Sequence, residues 1–186
     1  MKCAQALAGL AVLLAILTTA TPVEGYTLPK PRPWPGPHIS YHQFSGDRWV
    51  VREAARAWNH RRIPIRFVAA GSADAQVHVR YGGRGCGGYF TPGRPAQVAL
   101  SRRVRGCSRR HMVAVASHEL GHVLGLGHED RGCAIMNSYL EVPPWTPRGR
   151  RAGSSGPCSP ARIRRDDVAG VRRLYATPYG GESASR

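Results

Sequence analysis

The chain has 186 residues with 27 Lys or Arg against 11 Asp or Glu, a formal net charge of +16. That length allows one domain with a substantial core and leaves little room for a second. The charge favours polyanions such as nucleic acid, anionic glycan, cell wall or acidic protein, although only Lys2 and Lys30 are lysine and the 25 arginines lie in every segment, as a compositional bias would place them.

The opening "MKCAQALAGLAVLLAILTTATPVEG" has one lysine, an apolar run from Ala4 to Leu17 and then small residues, the order of a secretory signal peptide. The run is short for a membrane anchor, the alternative reading. Cys3 precedes it, the wrong place for a lipid-anchor cysteine. Cleavage is expected after Ala20 or Gly25, and the second is preferred because Tyr26 opens a new composition. Removing residues 1–25 takes away Lys2 and Glu24 and leaves the charge at +16. No later stretch is apolar enough to span a bilayer, so the expected location is extracellular.

Residues 26–37 hold "TLPKPRPWPGP", expected as an extended proline-rich arm before a domain over 38–176. "HISYHQ" alternates like a strand. "DRWVVREAARAWNH" offers Asp47 as an N-cap and sets Val50, Ala54, Ala57 and Trp58 on one helical face. "IPIRFVAA" and "AQVHVRY" read as strands, and "GCGGYFTPGRPAQVAL" as a glycine-interrupted hairpin. His78 falls inside the alternating strand and reads as a satisfied strand residue. A second helix starts near Ser108, draws core contacts from Met112, Val115, Leu120 and Leu124, and ends at Gly125. "RDDVAGVRRLY" makes a last helix with Val168, Val171 and Leu174 as its stripe and two early acids suited to a helix N-terminus. Residues 177–186 read as a disordered tail.

The stretch "HELGHVLGLGH" carries the chemistry. His118 and His122 are four apart, so on a helix their imidazoles share a face and can grip one ion. Glu119 is set to reach a metal-bound water instead of the metal. Gly125 can take a left-handed turn that breaks the helix and returns the chain, which lets His128 approach as a third ligand. Three neutral nitrogens and an open fourth position describe a catalytic zinc site.

With Met136 following in "CAIMN", the whole pattern resembles the metzincin zinc peptidases, HExxHxxGxxH and then a methionine turn. The resemblance runs from about His38 to Tyr175 and looks most like the matrixin branch, whose catalytic domain ends in an acidic pair and a helix closing on Leu-Tyr. Glu129, directly after His128, is instead an astacin-like feature. The resemblance implies an α+β fold with a small, twisted, mostly parallel sheet, a zinc-site helix and a C-terminal helix. It implies one catalytic zinc on His118, His122 and His128, Met136 as a hydrophobic floor, and Glu119 as the base that deprotonates the zinc-bound water and then protonates the leaving amine. A peptide or protein substrate would pair with the sheet's edge strand at residues 86–91, walled by the loop over residues 137–145. Tyr139, three residues past Met136, is not where astacins carry their zinc-linked tyrosine and receives no role.

The chain also departs from the matrixins. Between His78 and Cys107 it has no HxD and no other histidine, so a structural zinc is not expected, and no Asp or Glu stands there to hold calcium. No cysteine lies between Tyr26 and the domain to serve a cysteine-switch propeptide. The exported cysteines Cys86, Cys107, Cys133 and Cys158 contain no CxxC and read as two disulfides. Of three possible pairings, Cys86 with Cys107 and Cys133 with Cys158 is preferred, because each closes a modest loop on one flank of the histidine motif. The first would clip the loop that holds the structural zinc in matrixins.

A monomer that hydrolyses peptide bonds is the expectation, and a basic polyanion-binding module with a structural zinc is the rival. Any polyanion binding should rest on counterion release, fall steeply as salt is raised and discriminate poorly between nucleic-acid sequences. Titrations of mixed and single-sequence DNA at two salt concentrations check this, and affinity for one sequence that survives high salt would contradict it.

Overall fold

The computed structural model describes residues 34–71, 74–102, 107–129, 134–138 and 162–176. Eight elements follow in the order β1 (His38–Gln43), α1 (Arg48–Asn59), β2 (Arg66–Ala69), β3 (Val77–Tyr81), β4 (Gly88–Thr91), β5 (Ala96–Leu100), α2 (Arg109–Val123) and α3 (Arg165–Tyr175). The strands form one sheet ordered β2-β1-β3-β5-β4. β1 pairs parallel with β2 and β3, and β3 pairs parallel with β5. β4 alone runs antiparallel, against β5, as a hairpin partner must. The fold is therefore the α+β arrangement with a mostly parallel sheet that the sequence led us to expect. Among the described residues no helix is long and apolar enough to cross a membrane.

Each element forms for a local reason. Asp47 accepts a hydrogen bond from Trp49 N at 3.0 Å and starts α1. The buried face of α1 is wider than its stripe suggested: Val50, Val51, Ala54, Ala55 and Trp58 are buried while Ala57 is half-buried. The widening follows from its surroundings, because α1 packs against both β2 and α2. Trp58 is fully buried and donates from Nε1 to Ser117 O at 2.8 Å, which fixes α1 on α2. At the end of α1, Asn59 bonds both the N–H and the carbonyl of Phe67 and pins β2 in place.

Ser108 caps α2 by accepting from His111 N at 3.1 Å. Met112, Val115, Leu120 and Leu124 are buried as expected. The other end of α2 turns at Gly125, with φ of +96°. Gly125 N donates to His122 O and Leu126 N to Gly121 O, so the chain reverses over the last turn. Two further carbonyls there are satisfied from far away in sequence. Trp34 Nε1 donates to Val123 O at 2.6 Å and the Tyr175 hydroxyl donates to Leu124 O at 3.2 Å. The end of the proline-rich arm thus belongs to the core, where Trp34 is buried, though composition alone set it outside.

Cys86 and Cys107 form a disulfide with a Cα separation of 5.6 Å, the first of the two preferred pairs. It joins the approach to β4 to the cap of α2, and a loop of this size stabilises by roughly 2–4 kcal/mol. Cys133 and Cys158 lie outside the described residues, as do the leader over 1–25 and the tail over 177–186.

Because Trp58 fills the junction of sheet, α1 and α2, Trp58→Ala should destabilise the metal-free protein by about 3–5 kcal/mol. Urea unfolding of the two proteins measures this. A loss under about 1 kcal/mol would show that the junction does not carry the packing.

Candidate metal centre

The helix and its reversal bring three histidines to one point. His118 and His122 lie one turn apart on α2, and the turn at Gly125 returns His128 to them. Their Nε2 atoms form a small triangle, 3.0 Å between His122 and His118, 3.2 Å between His122 and His128, and 3.3 Å between His118 and His128. Ligand nitrogens about 2.0–2.1 Å from a tetrahedral ion stand roughly 3.3 Å apart, so the triangle has the size that zinc needs.

The far side of two rings explains why Nε2 is the available atom. His118 Nδ1 lies 2.8 Å from Ile135 O and His122 Nδ1 lies 2.7 Å from Leu126 O. A carbonyl can only accept, so each ring carries its proton on Nδ1 and turns a lone pair inward. Burial, together with the neighbouring His128, holds His122 below the ordinary imidazole value, against the opposing pull of the Leu126 hydrogen bond. The ring is thereby kept neutral, as a ligand must be. Two lone pairs turned inward beside a third imidazole nitrogen call for a cation or a proton between them, and this donor set fits zinc. The three histidines are the potential metal-holding group found among the described residues. His78 is not in it and packs in β3 with its ring 4.8 Å from that of Phe44.

Glu119 faces the cleft beside this triangle. Its side chain is buried, which pushes its carboxyl from 4.5 up to about 7. Gly88 of β4 makes room for it. A Cβ built at position 88 would stand 3.0 Å from Glu119 Cγ and 3.1 Å from its Oε1.

Met136 is fully buried and its sulfur lies against Gly121, between the two helical histidines in sequence. Any side chain at position 121 would meet that sulfur and, at 3.3 Å, the ring of Trp58. Glu129 N donates to Met136 O at 2.9 Å, tying the segment after His128 to the methionine turn, and its own side chain is buried.

Several contacts lay beyond the sequence signal. Asp167, expected only as a helix-starting acid, is fully buried and accepts from Arg164 N, Ile135 N and Met136 N at 2.6, 3.2 and 3.4 Å. His111 Nε2 lies 3.0 Å from Cys86 O and links the first turn of α2 to the approach to β4. Phe90 stacks on the His122 ring at 6.2 Å. The adjacency of the two acids in "RDD" was visible, but which of them points inward depends on where α3 docks.

β4 lies at the sheet edge and borders a cleft of about 620 Å³ that contains Glu119 and the three histidines, with Val115 and Ser138 on its wall. Of the expected wall over residues 137–145, Asn137 and Ser138 are described; Tyr139 and the rest lie outside the described residues.

A family model described as Matrixin matches residues 101–176, and one described as Astacin matches residues 28–138. Over 62 residues, 33% of this chain, the sequence is 39% identical to Metalloendoproteinase 1 of Glycine max and to Metalloendoproteinase 1-MMP of Arabidopsis thaliana. The matched segments make up 16% and 13% of those relatives, so the chain aligns with a small part of their length. Among solved structures the fold is similar to the crystal structure of myroilysin, with a TM-score of 0.51, 14% identity, and coverage of 77% of this chain and 86% of that one. The astacin model covers more than half of the chain, with the whole sheet and the histidine helix, the matrixin model continues through α3, and the chain belongs to the zinc metallopeptidases that unite these two families, the metzincins, in a matrixin-like form.

Proposed function

We propose that this chain is a secreted zinc-dependent endopeptidase. The observation that carries the reading is the triangle of Nε2 atoms at 3.0–3.3 Å with Glu119 in the same cleft. Secretion is supported by the apolar leader and by the Cys86–Cys107 disulfide, which suits an oxidising compartment.

In this reading His118, His122 and His128 would hold the ion through Nε2, and Met136 would give the site an apolar floor. Zinc bound there would supply Lewis acidity, enough to polarise a scissile carbonyl and to make a water acidic near neutral pH. Glu119 accepts a proton from the attacking water at a carboxylate oxygen as the new C–O bond forms, and delivers it to the amine as the C–N bond breaks. A carboxyl that titrates at about 7 in the metal-free chain is ionised often enough near neutral pH to take that proton, and its conjugate acid is acidic enough to give it to the leaving amine. The exposed backbone of β4 supplies N–H and carbonyl groups to an extended substrate, and Phe90 walls the cleft beside His122.

Purified protein should cleave members of an unbiased peptide library, and a chelator should stop it. Glu119→Gln keeps the ligands and the size of the side chain but cannot take the proton. It should lose about 10²–10⁴-fold in rate while retaining near one zinc per chain. His128→Ala should lose most of the zinc. Parent-like cleavage by Glu119→Gln would sink the peptidase reading, and full zinc retention by His128→Ala would show that the third ligand lies elsewhere.

Burial of Glu119 also sets a pH dependence in the metal-free protein. Its carboxyl titrates at about 7 when folded and at 4.5 when free, so between these values the folded chain binds more protons than the unfolded one. The contribution of Glu119 to stability must then fall as pH rises through that window, and its buried charge costs most above it. The histidines are common to both proteins, so metal-free Glu119→Gln should match the parent near pH 4.5 and become increasingly the more stable up to pH 8. Urea midpoints at intervals across this range test it; a constant difference would mean that Glu119 is not protonated by burial.

A further inference from the structure

We infer that Asp167 is a positioning residue of the metal centre, acting on His118 through the single peptide group that joins Ile135 to Met136. The inference rests on reading His118 as a zinc ligand. The N–H of that peptide belongs to Met136 and donates to Asp167 Oδ1 at 3.4 Å. Its carbonyl belongs to Ile135 and accepts from His118 Nδ1 at 2.8 Å. A carboxylate thus stands at one end of a peptide dipole and a ligand imidazole at the other. The neighbouring N–H of Ile135 reaches Asp167 Oδ2 at 3.2 Å, so the carboxylate grips the turn by two successive amides.

A helix cap alone would not require this arrangement. The cap contact is Arg164 N to Asp167 Oδ2 at 2.6 Å, and α3 needs nothing more from the side chain. The two bonds to the methionine turn join α3 to a segment about thirty residues away and are not part of the cap. Asp167 is fully buried, and a carboxylate is expensive to bury unless donors surround it. Three amide donors offset that cost. Asp166, in the same first turn of α3, is only half-buried, and the amides of the methionine turn go to Asp167 instead.

The chemistry follows from polarisation. Hydrogen bonds to an ionised group are roughly twice as strong as neutral ones, and bonds in a chain strengthen one another by about 10–30%. An amide whose N–H faces a carboxylate holds more negative charge on its oxygen. That oxygen grips the Nδ1 proton of His118 harder, which orients the ring and makes Nε2 a better donor to a cation. Outer partners of ligand histidines commonly change metal affinity by about 10–100-fold, and here the partner would be a carboxylate working through one intervening peptide.

The test compares zinc affinity, by competition with a chromophoric chelator, with the urea stability of the same metal-free proteins. Asp167→Asn is close in size but uncharged. It should still bind one zinc per chain, with affinity lower by about 10–100-fold. Asp166→Asn should bind like the parent. Val171→Ala, which removes buried packing from α3 one turn from Asp167 but no hydrogen-bonding group of the relay, shows how much affinity is lost through instability alone. The relay is overturned if Asp167→Asn loses no more affinity than Val171→Ala at matched stability, or if Asp166→Asn loses as much. Should Asp167→Asn fail to fold, the unsubstituted protein decides the matter by NMR. The Met136 amide nitrogen and proton should shift on zinc titration with the same midpoint as metal binding, and an unmoved Met136 amide would overturn the relay. A parent protein that binds no zinc, or one that keeps it in His118→Ala, would overturn the metal reading itself and the relay with it.

Discussion

Three imidazoles can share one cation only if each keeps its proton on the nitrogen that faces away. This requirement links the metal centre to the backbone around it. His118 meets it through Ile135 O and His122 through Leu126 O, so the methionine turn and the reversal after α2 are also the supports of the ligands. The left-handed Gly125 is needed because the reversal must begin within one turn of His122 if His128 is to arrive at 3.2 Å from it. Close approach at Gly121 has a matching purpose, since only a residue without a Cβ lets the Met136 sulfur close against the helix between the ligands.

The cleft is built by a second set of constraints that meet at the edge strand. β5 lies between β3 and β4, which leaves β4 at the border, with no strand on its outer side among the described residues. Position along that edge is held by the disulfide from Cys86 to the cap of α2 and by His111 bonding the Cys86 carbonyl. Gly88 then sits over Glu119 at a distance that admits no larger side chain without displacement. The strand proposed to bind substrate and the carboxylate proposed to move a proton are thus placed by the same few contacts. The burial that raises the Glu119 carboxyl to about 7 follows from this closeness.

Both ends of the described chain close on α2. Trp34 and Tyr175 satisfy the carbonyls of Val123 and Leu124, where a helix terminus would otherwise leave acceptors to water. Asp167 joins α3 to the methionine turn from the other side. The helix that carries His118 and His122 is therefore fixed by segments far from it in sequence in either direction, which suits a group of side chains that must be held in place to take an ion.

The sequence by itself determined every element that obeys a local rule. Asp47 and Ser108 cap their helices because a short side chain before an apolar-periodic run can reach an amide two or three residues on. The spacing of His118, His122 and Gly125 determines a shared face and a break after it, since helix geometry alone sets both. Tertiary structure alone decided what depends on docking. No local rule says that Trp34 enters the core from a proline-rich stretch, that Asp167 and not Asp166 turns inward, or that His111 reaches Cys86 across the space between helix and strand. These partners lie 25 to 89 residues apart in sequence, and a hydrogen bond reads position in space, which is fixed only once the sheet and α2 have packed.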